Sequence, residues 1–210
     1  MNPRAPMNRR ARLGFVTFLT LVRYPLVLLF FVGAIIHSRE PRTWVFTVAF
    51  AALIASAVTD LLDGYFARKL GVETRFGAHA DPLMDKFFYL STLPLLVFVA
   101  SNNRHSTHAL VLLFLTMTFL ARDQWVTFLR SIGALYSASG NAHWSGKLRT
   151  CINFPLICMV YFLEESPVKI LSPWLVYAME AVAMVVNFIS IYLYSRRYWP
   201  YLLKSTDIHD

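Results

Sequence analysis

Four aspartates are the residues of this sequence best suited to chemistry. Asp60, Asp63, Asp81 and Asp85 fall within 26 residues, although the whole chain holds only seven aspartates. They stand at the ends of otherwise apolar segments, where burying a carboxylate near lipid is costly, so acids in such places are functional candidates. Spacings of three and four residues put each pair on one face of a helix. We therefore expect the four carboxylates to converge if the two helices are antiparallel neighbours.

Converging carboxylates need compensating positive charge. Four of them at one point repel one another and become protonated unless cations intervene. Oxygen ligands without a set of His or Cys partners favour Mg²⁺ or Mn²⁺ over zinc. The cluster therefore predicts a pair of divalent cations in one site.

The residues between the aspartates fit a phosphate ligand. Gly64 and Ala67 leave room against the helix backbone, and Gly77 admits a close approach from the other side. Arg68 offers a planar fork suited to phosphate oxygens. Two metals and an arginine describe a site for phosphoryl transfer.

The elements that position this site are predicted to be transmembrane helices. The chain of 210 residues is 57% hydrophobic and 15% charged, against about 45–50% and about 25% in soluble domains. Apolar runs close to the length that a bilayer requires recur along it. The sequence predicts an all-α polytopic membrane protein, with six transmembrane helices in one bundle and a single domain over residues 1–210. The spans are expected at 15–36, 44–67, 82–100, 108–135, 148–163 and 173–194.

The placement of Lys and Arg predicts the orientation. Twelve of these cations fall on one side of the membrane and four on the other, and the richer side is cytoplasmic. This puts the basic N-terminus (1–13), the tail (198–210) and the aspartate loop in the cytoplasm. The net charge of +8 flanks the apolar runs, which favours lipid headgroups and an anionic substrate. No basic, aromatic-interleaved patch supports nucleic-acid binding.

The aspartate stretch resembles the signature of the CDP-alcohol phosphotransferases. That signature reads Asp-x2-Asp-Gly-x2-Ala-Arg, then eight or nine residues, then Gly-x3-Asp-x3-Asp. A match at all eight fixed positions arises by chance at a given start with a probability of roughly 10⁻¹⁰. The positions are filled here by Asp60, Asp63, Gly64, Ala67, Arg68, Gly77, Asp81 and Asp85.

The resemblance implies a reaction and a role for each residue. The four aspartates would hold two Mg²⁺ ions on the pyrophosphate of CDP-diacylglycerol. Asp85 would also be the general base for the acceptor hydroxyl, which attacks the lipid-side phosphorus and releases CMP. The implied setting is a homodimer in a bacterial inner membrane. The CDP-lipid would be bound by Gly64, Ala67, Arg68, Thr74 and Gly77.

Other segments resemble the phosphatidylglycerophosphate synthases of this family. These are residues 17–23, 121–123 and 145–150, although Gly14 stands where the first-helix pattern has Asn. An acceptor that carries its own phosphate needs cations, which favours sn-glycerol 3-phosphate. Inositol phosphate, phosphatidylglycerol and serine remain alternatives. The cations expected to bind the acceptor phosphate are Arg122, Arg130, Lys147 and Arg149.

Two other classes of protein predict different patterns. An ion or proton transporter would distribute its acids along a path across the bilayer, whereas these acids cluster at one depth. A non-catalytic scaffold would carry a degenerate motif, and this one is intact. Outside the motif, Glu164, Glu165 and the acidic tail are interpreted as solvated charge.

Overall fold

Long apolar segments form six α-helices in this computed structural model, which describes residues 9–71, 75–136 and 144–206. Side chains are described throughout these ranges except at 9–12, 61, 63–64, 67–68, 75–82, 144–147 and 149–150. The helices are α1 (Arg9–Arg39), α2 (Thr43–Leu70), α3 (Arg75–Asn102), α4 (Ser106–Leu135), α5 (Trp144–Glu165) and α6 (Pro173–Ser205).

Each of the six predicted spans lies within one helix, so the prediction of an all-α membrane bundle is confirmed. In the described part of the chain, α1, α2, α3, α4 and α6 are long and apolar enough to cross a membrane. The remaining helix, α5, has 22 residues and ends on two glutamates.

The helices run alternately up and down, so that alternate connections meet at the same end. Asn102 at the end of α3 donates a hydrogen bond of 2.6 Å to the carbonyl oxygen of Ser38 in α1. Asn103 donates one of 3.2 Å to the carbonyl oxygen of Glu164 in α5. We call this end, with the connections 40–42, 103–105 and 166–172, the distal end. The opposite end holds Asp60 and Asp85, and we call it the carboxylate end.

Close packing of α1, α2 and α5 forms part of the core. A Cβ atom placed on Gly33 of α1 would lie 3.0 Å from the Cβ of Ala49 in α2, so the glycine lets the two backbones approach. The ring of Phe30 packs edge-on against Tyr161 of α5, with centroids 4.9 Å apart. Phe46 of α2 stacks on the same tyrosine at 5.6 Å. These buried side chains fix the relative positions of three helices.

The distal end contains a buried network of acids and histidines, and the interpretation of Glu164 and Glu165 as solvated charge is wrong. They are only 5% and 7% exposed. His108 of α4 places Nδ1 2.6 Å from Oε1 of Glu164, and Nε2 2.7 Å from Oε1 of Glu180 in α6. His105 places Nδ1 2.9 Å from Oε2 of Glu164. The histidines supply the partners without which buried carboxylates would be strongly unfavourable.

The two adjacent glutamates have pKa values shifted in opposite directions. Burial raises the pKa of the Glu164 carboxyl, but hydrogen bonds from His108, His105 and Asn103 outweigh it and leave the pKa below its ordinary value. Burial also raises the pKa of Glu165, and there the contacts with Asn103 and His37 are too weak to reverse it. The Nε2 atom of His37 lies 3.4 Å from Oε2 of Glu165. The network therefore links α1, α4, α5, α6 and the connection between α3 and α4.

Candidate active site

Asp60 of α2 and Asp85 of α3 meet at one arginine, Arg23 of α1. The Nη2 atom of Arg23 pairs with Oδ1 of Asp60, and its Nη1 atom lies 3.3 Å from Oδ1 of Asp85. The arginine side chain is 3% exposed, whereas the two carboxylates are 32% and 48% exposed. The structure therefore brings one aspartate from each predicted pair to a common, buried cation.

An apolar cavity of about 280 Å³ lies beside these three residues, and all three line it. Its lining side chains come from α1, α2, α3 and α5. A carboxylate pair next to such a space allows a polar reaction centre to border a hydrophobic compartment. The aromatic and proline side chains in the walls are Phe88, Tyr89, Phe154 and Pro155.

The remaining motif residues lie on the same two helices. Asp63, Gly64, Ala67 and Arg68 belong to the last turns of α2, and Gly77 and Asp81 belong to the first turns of α3, but the structure does not describe their side chains. Thr74 lies outside the described residues. Gly71, directly after α2, adopts φ 61°, a left-handed conformation that favours glycine. It lets the chain leave α2 and return as α3 through the connection 71–74.

The described donors agree in chemical type with a hard divalent cation. Carboxylate oxygens are the ligands that Mg²⁺ prefers, and Asp60 and Asp85 already share one cation, the guanidinium of Arg23. Among the described side chains, no group of three His, Cys, Asp or Glu residues could hold a metal ion. The described part thus contributes two carboxylates. Asp63 and Asp81 lie on the same two helices, α2 and α3.

The cations expected to bind the acceptor phosphate differ in their surroundings. Arg122 is buried, and its Nε and Nη2 atoms donate hydrogen bonds of 3.0 and 2.6 Å to Oγ of Ser190 in α6. Its guanidinium also lies 5.2 Å from the ring centroid of Tyr194. Arg130 is exposed on α4. Neither arginine lines the cavity beside Asp60 and Asp85. Lys147 and Arg149 lie near the start of α5, where their side chains are not described.

Sequence reasoning placed Arg23 inside the first span and gave it no role at the site. Its signal is a cation in the middle of an apolar helix, which is expensive unless it finds a partner. The partners lie 37 and 62 positions away in the chain, at Asp60 and Asp85. Only the packing of α1 against α2 and α3 identifies them.

Fold and site together define a polytopic membrane protein whose acidic centre borders an apolar cavity. Comparison with known proteins is more specific. The family described as CDP-alcohol phosphatidyltransferase matches residues 15–192, and the chain belongs to this family. Enzymes of the family generally use divalent metals.

Named relatives span nearly the whole chain. A CDP-diacylglycerol–glycerol-3-phosphate 3-phosphatidyltransferase of Yersinia pestis (strain Pestoides F) is 28% identical over 197 residues, covering 92% of this chain and 99% of the relative. An enzyme of the same name from Pseudomonas fluorescens is 27% identical over 189 residues, covering 90% of each chain. A probable phosphatidylglycerophosphate synthase of Mycobacterium tuberculosis (strain CDC 1551 / Oshkosh) is 31% identical over 166 residues, covering 77% of this chain and 72% of the relative.

Proposed function

We propose that this protein transfers the phosphatidyl group of CDP-diacylglycerol to sn-glycerol 3-phosphate, giving phosphatidylglycerophosphate and CMP. The observation that carries the proposal is the meeting of Asp60 and Asp85, one from each half of the family signature, beside an apolar cavity. The names of the relatives support the choice of reaction.

The acceptor hydroxyl attacks the phosphorus on the lipid side of the pyrophosphate. A new O–P bond forms, the bond from that phosphorus to the CMP oxygen breaks, and the hydroxyl proton passes to Asp85. At 48% exposure, this carboxylate is open to an incoming hydroxyl and to water that removes the proton. Arg23 holds Asp85 at a fixed position, and a base so close to cations owes its effect to positioning.

A divalent pair would complete the site. The aspartates of both helices would hold two Mg²⁺ or Mn²⁺ ions, which supply the positive charge that stabilises the leaving phosphate of CMP. The donor type at Asp60 and Asp85 supports this assignment. The four proposed ligands are Asp60, Asp63, Asp81 and Asp85.

The lipid substrate would lie across the boundary between the motif and the cavity. The walls formed by Phe88 and Phe154 suit the apolar part of CDP-diacylglycerol. The cytidine and phosphates would contact the motif residues between the aspartates, because small residues and an arginine admit and bind them. These are Gly64, Ala67, Arg68, Thr74 and Gly77.

The acceptor phosphate would be bound by the cations of α4 and α5. Arg130 is exposed on α4, and Lys147 and Arg149 lie at the same end of the bundle on α5. Arg122 already bonds Ser190, so its part in binding would be to fix the local surface or to exchange that bond for a phosphate oxygen. Acceptors with the same chemistry, such as inositol phosphate or phosphatidylglycerol, compete with this choice.

We extend the proposal to topology and assembly. The excess of Lys and Arg beside the carboxylate end supports cytoplasmic termini and a cytoplasmic active site in a bacterial inner membrane. Membership of the family supports a homodimer.

The decisive experiment measures CMP release by the purified protein with CDP-diacylglycerol, Mg²⁺ and a panel of acceptors. We expect release with sn-glycerol 3-phosphate, loss of release with EDTA, and little release with serine or inositol phosphate. His105→Gln, at the distal end, is the matched control and should retain activity. Release with a different acceptor alone would overturn the acceptor assignment. Failure with every acceptor, together with cation or proton flux in proteoliposomes, would favour a transporter.

A further inference from the structure

Arg23 contacts two aspartates of the family signature without being part of that signature. It lies in the apolar stretch of α1, and its side chain is 3% exposed. A cation at such a position is costly unless it is paired. Its guanidinium contacts Asp60 on α2 and Asp85 on α3, so one side chain joins three helices.

The contact is an electrostatic link between two like charges. Two neighbouring carboxylates repel each other, and a guanidinium keeps its charge at every accessible pH and presents a rigid fork. Arg23 uses a different nitrogen for each acid, Nη2 for Asp60 and Nη1 for Asp85. It therefore offsets the repulsion and fixes the positions of two carboxylates at the same time.

We propose that Arg23 is a positioning residue, a built-in cation that holds Asp60 and Asp85 together before divalent metal binds and whose contribution the metal partly replaces. The inference rests on the proposed function in one respect, the assignment of these aspartates as metal ligands. Arginine and metal then act on the same two carboxylates, so removing one makes the fold more dependent on the other.

The test is thermal unfolding of the purified full chain in detergent, first with EDTA and then with excess MgCl₂ or MnCl₂. Arg23→Gln should lower the unfolding midpoint in EDTA by roughly 2–8 °C, because it removes the buried cation that offsets the repulsion between two partly exposed carboxylates. Divalent cation should restore most of that loss, so the metal-induced shift should be larger in Arg23→Gln than in the unaltered protein. In EDTA, the unfolding midpoint of Arg23→Lys should fall between those of Arg23→Gln and the unaltered protein, because a single ammonium keeps the charge but lacks the planar fork of the guanidinium.

Arg122→Gln is the matched control. Arg122 is also a buried arginine in an apolar helix, but its contacts include Ser190, Tyr194 and Asp123 rather than the motif aspartates of α2 and α3. The fall in the unfolding midpoint caused by Arg122→Gln should therefore be the same with EDTA and with MgCl₂. If Arg23→Gln behaves in the same way, or loses nothing in EDTA, the inference is overturned.

A second variant keeps the test informative if Arg23→Gln does not fold. In the double variant Arg23→Gln with Asp60→Asn, one of the two repelling charges is gone, so the protein should be recovered and its midpoint in EDTA should exceed that of Arg23→Gln. A double variant no more stable than the single one would mean that Arg23 only fills space. Absence of CMP release by the unaltered protein would count against the proposed function. The inference about Arg23 is tested independently, by the unfolding midpoints with and without divalent cation.

Discussion

His108 holds two buried carboxylates from different helices, and its removal should be among the most destabilising single changes in the bundle. The side chains of Glu164 and Glu180 are 1% and 2% exposed, and each places an oxygen within 2.7 Å of the His108 ring. To make both bonds the ring must donate from both nitrogens, because an ionised carboxylate only accepts. His108→Gln leaves at least one of these acids without its charged partner.

The magnitude follows from the nature of the pair. Breaking a buried ion pair by removing one partner costs about 3–5 kcal/mol, which in a protein of this size corresponds to a fall in the unfolding midpoint of roughly 6–20 °C. His105→Gln is the neighbouring control, because that ring is 59% exposed and has one bond to Glu164. Its loss should be below about 1 kcal/mol.

The assay is thermal unfolding of both variants in the same detergent, with CMP release measured well below the midpoint. His108→Gln should lose stability and keep its activity, because the network lies at the opposite end of the bundle from Asp60 and Asp85. Adding Glu180→Gln should recover part of the loss by removing one unpaired charge. Equal midpoints for His108→Gln and His105→Gln would refute the reasoning.

Three further predictions concern other parts of the chain. The lowered pKa of Glu164 means that its ionised form contributes stability above its ordinary pKa, and this contribution is lost as the pH falls through the lower folded-state pKa. The raised pKa of Glu165 has the opposite sign, with stability present below its ordinary pKa and lost as the pH rises through the folded-state pKa. Glu164→Gln should therefore lower the unfolding midpoint at neutral pH and Glu165→Gln should not; the reverse order would contradict the network described here. Asp85→Asn should reduce CMP release by at least about 10³-fold while the protein still extracts and unfolds like the unaltered chain, and residual activity near normal would remove Asp85 from the role of base. Gly33→Val should cost about 2 kcal/mol more than Gly14→Val, because a Cβ at Gly33 meets Ala49 at 3.0 Å whereas nothing lies within 4 Å of one at Gly14; equal midpoints would show that α1 and α2 can separate at no cost.

Local spacing was enough to predict the helices and the aspartate pairs of the site. The runs of apolar residues placed all six helices, because in a membrane the backbone must satisfy its own hydrogen bonds. The separations within the two aspartate pairs predicted which acids share a face. The short connection between α2 and α3 then required Asp60 and Asp85 to lie at the same end.

Partners from distant parts of the chain were beyond this kind of reasoning. Arg23 pairs with acids on two other helices, and that depends on how α1 is rotated against its neighbours, which spacing within α1 does not determine. Glu164 and Glu165 stand between an apolar helix and a Ser-Pro turn, where acids are ordinarily solvated. Contacts with His108 and His37, which come from other helices, offset the cost of burying these two acids.

The acids at the two ends of the bundle are compensated in different ways, and the difference bears on function. At the distal end, the acids of α5 and α6 contact His37 of α1, His108 of α4 and His105, which directly precedes α4. The protein therefore supplies its own partners for these buried carboxylates. At the carboxylate end, Asp60 and Asp85 share the guanidinium of Arg23, and the motif adds Asp63 and Asp81 on the same helices. Among the described side chains, Arg23 is the cation that contacts both Asp60 and Asp85. If all four proposed ligands converge, one guanidinium offsets only part of their charge, and the remainder favours cations from solution. An end that is stable without ligands can hold the helices together while the aspartate cluster at the other end stays incompletely compensated. On this argument the network around His108 supports catalysis indirectly, because it lets the carboxylate end remain unbalanced until metal and substrate bind.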